Sequence, residues 1–167
     1  MSQQVQLQQW SGFFSIISGV AATLLGLLFV VVTISPSVGR KLASKSRVYL
    51  TPAILYLTSV LIMSATLAVP NQTRFSAAIC ICVLGLGGLL YVGRLIFLRS
   101  EFYEKKTDRL RYAVAPFTAY VALLTGGFLL AEKGVLGLDI VAAGMIMLLN
   151  SAIQNSWSLA VSILSSE

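Results

Sequence analysis

The sequence predicts an all-α integral membrane protein, a single bundle of five transmembrane helices with its N-terminus outside and its C-terminus cytoplasmic. Three observations carry the prediction. First, the 12 basic and 6 acidic residues of the 167-residue chain fall in a few short places, leaving charge-free windows at residues 1–39, 48–73, 75–93, 112–131 and 140–166. A charge at the bilayer centre is costly and a helix needs roughly 20 apolar residues to cross the hydrocarbon, so each window reads as one span. Second, hydrophobic residues make up 57% of the chain and charged ones 11%, less than half the ~25% charge of an ordinary soluble domain. Residues 1–167 therefore form one transmembrane domain with no room for a soluble one. Third, the basic residues are one-sided. Arg40, Lys41, Lys45 and Arg47 follow the first span, and Arg94, Arg99, Lys105, Lys106, Arg109 and Arg111 follow the third. The other two connections carry only Arg74 and Lys133, so the positive-inside rule places the first and third connections in the cytoplasm.

The spans read, in order, 11–34, 49–69, 76–97, 112–131 and 136–164. The uncharged stretch Ser2–Gln9 has no basic leader, so the first span is expected to stay in the mature protein. Trp10 marks its outer interface and Ser35-Pro36 ends it. It carries a stripe of small residues, Ser11, Ser15, Ser18, Ala22 and Gly26, widened by Gly12, Gly19 and Thr23. Thr51-Pro52 supplies an N-cap and a first-turn proline for the second span, and Val69-Pro70-Asn71 closes it as a turn. The third span offers Gly85, Gly87, Gly88 and Gly93, and its Cys80 and Cys82 project too far apart to share a metal or bridge easily. Pro116 is expected in the first turns of the fourth span, which also carries Ala115, Ala119, Ala122 and Gly126 at helical spacing. In lipid, apolar burial does not drive helices together, so such small-residue faces are a main source of close packing. They serve either to hold one protomer together or to join several.

The fifth span is the polar one. Counting inward from Asp139 puts Asn150 near the bilayer midplane. On a helical wheel Asn150, Ser151, Gln154, Asn155, Ser158 and Ser162, with Gly144, fill an arc of about 140°, opposite Met145, Ile146, Leu149 and Ile153. Amides and hydroxyls facing hydrocarbon lose their hydrogen bonds, so this arc must meet another helix or water. Two readings follow. In one, Asn150 and Gln154 bond to groups such as Ser59 and Ser64 on the second span. In the other, the arc lines a narrow water-filled path around a symmetry axis, with Gly85, Gly87 and Gly88 as a close-packed counter-surface and Glu132 and Asp139 at its mouth.

Several chemistries are excluded. The chain has no histidine, which removes Ser-His-Asp and Cys-His nucleophile pairs and histidine-ligated metals, and no cofactor is expected. No carboxylate or lysine lies deep in a span, which argues against a proton relay or voltage sensor. The basic clusters, Arg40, Lys41, Lys45 and Arg47 above all, sit where anionic lipid headgroups lie, and the positive-inside pattern uses their charge without nucleic acid.

The stretch Trp10-Ser-Gly-Phe-Phe-Ser-Ile-Ile-Ser-Gly-Val-Ala-Ala-Thr-Leu-Leu-Gly-Leu-Leu-Phe-Val-Val-Val-Thr-Ile-Ser35, centred on Ala21–Val30, resembles the opening helix of a diffuse group of small, uncharacterised bacterial polytopic membrane proteins. Some of that group are labelled as modulators of a membrane-bound ATP-dependent protease. The resemblance implies a bacterial inner-membrane setting and transfers no functional residues. The expected function is that of a non-enzymatic, self-associating membrane protein whose fifth helix lines a narrow channel. The alternative is an interaction module that binds another membrane protein through its small-residue faces.

Overall fold

The computed structural model describes residues 3–34, 43–70, 72–98 and 106–164. They form five α-helices, α1 (Gln3–Ile34), α2 (Ala43–Ala68), α3 (Arg74–Leu98), α4 (Lys106–Lys133) and α5 (Val135–Leu164). Each contains a stretch long and apolar enough to cross a membrane, namely Gln9–Val31, Leu50–Ala68, Arg74–Leu95, Val114–Glu132 and Leu136–Val161. These stretches track the five charge-free windows.

Some helices overrun their apolar stretches. Glutamine, lysine and arginine are good helix formers, so α1 begins in the polar N-terminal segment, α2 at Ala43 and α4 at Lys106. One local expectation is corrected as a result. Thr51-Pro52 does not start α2, while Pro116 keeps its place in the first turn of the fourth apolar stretch, Val114–Glu132, although α4 itself begins at Lys106. Both prolines lie inside their helices. Each removes one helical donor, from the carbonyls of Val48 and Tyr112 respectively. Those carbonyls lie toward the charged ends of the helices, where water can replace the donor.

The turns follow from sequence. The Val69 N–H donates to the Thr66 carbonyl at 3.2 Å as α2 closes. Thr73 caps α3, its Oγ1 accepting from the Ser76 N–H at 3.2 Å, which satisfies a donor the helix cannot. Gly134 joins α4 to α5 with φ 70, a left-handed conformation costing a residue with a Cβ roughly 1–2 kcal/mol. A one-residue joint forces α4 and α5 into a tight hairpin.

Helices α2, α3, α4 and α5 close into a ring in which each touches the next and α5 returns to α2. α1 is laid on the outside of α2 and reaches α5 only marginally. Only 17% of α1's apolar stretch is buried, against 56% for α5. The interior is filled by Tyr56, Met63, Ile81, Tyr120, Leu123, Met145 and Leu148, all fully buried. Tyr120 donates to Ser59 Oγ at 3.2 Å, since the Ser59 hydroxyl hydrogen is committed to the Leu55 carbonyl at 2.8 Å. The Tyr120 ring also meets Tyr56 edge-on, 6.1 Å between centroids.

Glycines set two seams of the ring. Along α3 and α4, Gly88 lies so close to the Tyr120 ring that a Cβ would overlap it, and a Cβ on Gly85 would meet Leu124 at 3.1 Å. Along α4 and α5, Gly137 abuts the Leu130 backbone, Gly126 faces Val141, and Gly144 sits beside Leu123 and the Ala119 carbonyl. Backbones this close gain dispersion that bulkier side chains would forfeit.

Candidate functional site

The polar residues of α5 do not share one environment. Ser151 and Asn155 are buried, at 6% and 5% exposure. Gln154 and Ser158 are half-buried, and Asn150 is exposed. Asn150 stands at the centre of the outward face of α5, in line with Asp139, Ala143, Ile146 and Trp157, all exposed. The expected lipid face is corrected accordingly, because Met145 and Leu149 are buried in the bundle while Ile146 and Ile153 remain outside. The helix is turned by about one residue, ~100°, from its expected setting. The glycine seam with α4 sets that rotation, since Gly137 and Gly144 must both face α4 for the hairpin to close.

Among the described residues, no hydrogen bond joins Asn150 or Gln154 to Ser59 or Ser64. Ser59 and Ser64 donate to carbonyls of their own helix, Leu55 and Val60, and Ser151 and Ser158 do the same to Met147 and Gln154. Hydroxyls that bond back four residues satisfy themselves without a second helix. Among the described residues, the Asn150 amide has no side-chain hydrogen bond. It lies near the middle of the apolar stretch Leu136–Val161 and points away from its own protomer.

The small-residue stripe of α1 faces outward as well. Phe14, Ile17, Ala21 and Leu28 form the buried face, whereas Ser15, Gly19, Ala22 and Gly26 are exposed and Ser18 is half-buried. A Cβ placed on Gly12, Gly19 or Gly26 would find nothing within 4 Å. Spaced seven apart, these three glycines lie close to one line along the helix. Thr23 beside them donates to the Gly19 carbonyl at 2.8 Å and is satisfied internally. The protomer leaves the glycines of this stripe without a packing neighbour.

The glycines expected to back α5 divide. Gly85 and Gly88 turn toward α4, and Gly87 faces outward with nothing near it. Cys80 and Cys82 are free, with Cys80 Sγ 3.4 Å from Thr66 Oγ1. Of the basic cluster, Lys45 and Arg47 belong to the first two turns of α2, and Arg40 and Lys41 lie outside the described residues.

Two features escaped sequence reasoning. One is an apolar cavity of about 190 Å³ between α1, α2 and α5, lined by residues that include Leu24, Leu28, Leu57, Ala152, Leu159 and Ala160. No periodicity announces it, because it exists only through the way α1 lies across the ring. The other is Trp157, at 71% exposure. Its signal was legible, since a tryptophan near the end of a span marks a membrane interface.

Neither a protein-family model, nor a curated protein, nor a solved structure matches this chain. The fold stands on its own evidence, which is that of a multi-pass membrane protein: all-helical, with five helices of spanning length and hydropathy.

Proposed function

We propose that this is a non-enzymatic protein of a bacterial inner membrane, N-terminus outside, that works by lateral helix association, first of all with further copies of itself. The observation that supports this reading is the outward stripe of α1, whose Gly12, Gly19 and Gly26 have nothing within 4 Å of a Cβ position. Such a stripe lets a second backbone approach closely, the main route to association in lipid. In a two-fold dimer with both copies N-terminus outside, the axis runs along the membrane normal and each of these glycines faces its own counterpart. The basic ends of α2 and α4 then lie against anionic headgroups, each residue contributing ~1 kcal/mol.

The particle mass in lipid nanodiscs tests this. The wild-type chain is expected to run as an oligomer and Gly19→Leu with Gly26→Leu as a monomer of unchanged helicity. A monomeric wild type sinks the reading. Crosslinking from the exposed Ala22 addresses the alternative module, in which the adduct carries a different membrane protein, such as a membrane-bound protease, in place of a second copy.

A second reading, a narrow channel at a symmetry axis, rests on the outward, unbonded Asn150 at the middle of its span. In an oligomer this amide meets either its symmetry mates or water, and both satisfy it. Solute flux through proteoliposomes is expected to be lost on Asn150→Leu with Gln154→Leu at unchanged particle mass. Undiminished flux removes the channel and leaves the interface.

A further inference from the structure

We infer that the cavity between α1, α2 and α5 is a seat for one acyl chain of an anionic phospholipid, whose headgroup is held at the basic end of α2. The cavity lies along residues 24–31 of α1 and 152–160 of α5, the C-terminal thirds of both apolar stretches. α1 and α5 therefore present the same ends to it. It opens sideways past Leu27 and Val31, both exposed, so hydrocarbon can enter from the bilayer.

Its chemistry selects the occupant. The lining is aliphatic apart from Ser156, whose hydroxyl is committed to the Ala152 carbonyl at 2.8 Å. Water needs two to four polar partners and finds none free here. A cavity of about 190 Å³ left unfilled would forfeit dispersion along its walls. A second helix, about 10–12 Å across with its side chains, is too thick to enter. A flexible hydrocarbon chain fits.

Charge fixes the rest of the molecule. α2 starts at the end of the bundle where α1 finishes, and Lys45 and Arg47 fall in its first two turns. No acidic residue lies between Met1 and Thr73 to offset them. An acyl chain in the cavity puts its headgroup at this cationic end. A phosphodiester with net negative charge, such as phosphatidylglycerol, matches it, and a zwitterionic choline lipid adds a repelled cation. The inference rests on the same membrane placement as the proposed function but not on self-association.

Native mass spectrometry of the full chain, released from detergent with equimolar phosphatidylglycerol and phosphatidylcholine of equal chain length, tests it. One phosphatidylglycerol per chain is expected to be retained, preferred about fivefold for each basic residue engaged. Ala160→Phe, which fills the cavity, is expected to abolish retention. Lys45→Gln with Arg47→Gln is expected to erase the preference while leaving a chain bound. On the wild-type protein, soluble glycerol phosphate is expected not to displace the lipid, a readout that needs no variant to fold. Retention unchanged by Ala160→Phe, or displacement by glycerol phosphate, would mean headgroup adsorption alone and overturn the seat. Equal retention of the two lipids overturns its anionic character. Particle mass in the same spectra reports self-association separately.

Discussion

Gly137→Ala, the addition of one methyl group, is expected to destabilise the bundle by about 2–3 kcal/mol, the upper range for overpacking. The new Cβ would fall on the backbone of Leu130 and within 2.7 Å of the Gly126 carbonyl oxygen. Neither obstacle can swing aside, because both are main chain. Relief requires α4 and α5 to part. Parting is resisted three residues upstream by the one-residue joint at Gly134, and it exposes Val141, Met145 and Leu148, all fully buried. Gly93→Ala is the matched control. Its Cβ meets nothing within 4 Å, and alanine is the better helix former by up to ~1 kcal/mol. Unfolding in mixed micelles should separate the two substitutions in opposite directions from wild type. A Gly137→Ala protein as stable as Gly93→Ala would mean that the α4–α5 seam is wrongly drawn.

The second large effect is at the α3–α4 seam, where it is testable as a coupling. A Cβ on Gly88 would overlap the ring of Tyr120. That ring is held on two further sides, by its hydrogen bond to Ser59 and by the edge of Tyr56, so it has little freedom to yield. Gly88→Ala is expected to cost about 1–3 kcal/mol. Tyr120→Ala alone is expected to cost about 3–5 kcal/mol, as a large buried aromatic removed from a packed site. Together they should cost less than their sum by about 1–2 kcal/mol, because the alanine methyl at 88 occupies space the ring has vacated. A double-mutant cycle in the same micelle assay measures this. Strict additivity would show that Gly88 and Tyr120 do not touch.

Both predictions depend on contacts that no residue pattern displays. The glycines of the third span are visible in the sequence as a small-residue surface, and their expected partner was the polar fifth helix. Gly85 and Gly88 instead receive Leu124 and Tyr120 of α4. A stripe of small residues records that something approaches closely, but does not record what. The same ambiguity governs α1. Its stripe is clear from spacing, and holding the protomer together was the simpler use for it. Yet Phe14, Ile17, Ala21 and Leu28 do that work, and Gly12, Gly19 and Gly26 face away.

The fifth helix shows where helical-wheel reasoning stops. On the wheel the polar residues form one arc, which must meet another helix or water wherever it points. The bundle weighs that tendency against close packing. Gly137 and Gly144 seat α5 on α4, and this rotation brings Ser151 and Asn155 inward while leaving Asn150 outside. Serine hydroxyls tolerate either setting because they bond to their own helix. The Asn150 amide makes no such bond and stands exposed at mid-span, which makes it a residue in need of a neighbour beyond the protomer.

Five helices, their limits to within a turn at most ends, and the separation of charged from apolar segments follow from the chain alone, because the cost of charge in hydrocarbon acts on each segment without reference to the others. Even the turns at Thr73 and Gly134 are local events, settled by a hydroxyl cap and by the conformational freedom of glycine. Only the tertiary structure decided which faces meet: the ring of α2 to α5, α1 laid outside it, the rotation of α5, and the apolar seat between them. Those outcomes are differences among many similar contacts between apolar helices, settled by backbone approach at a few glycines, and a single helix read by itself carries no information about its neighbour's shape.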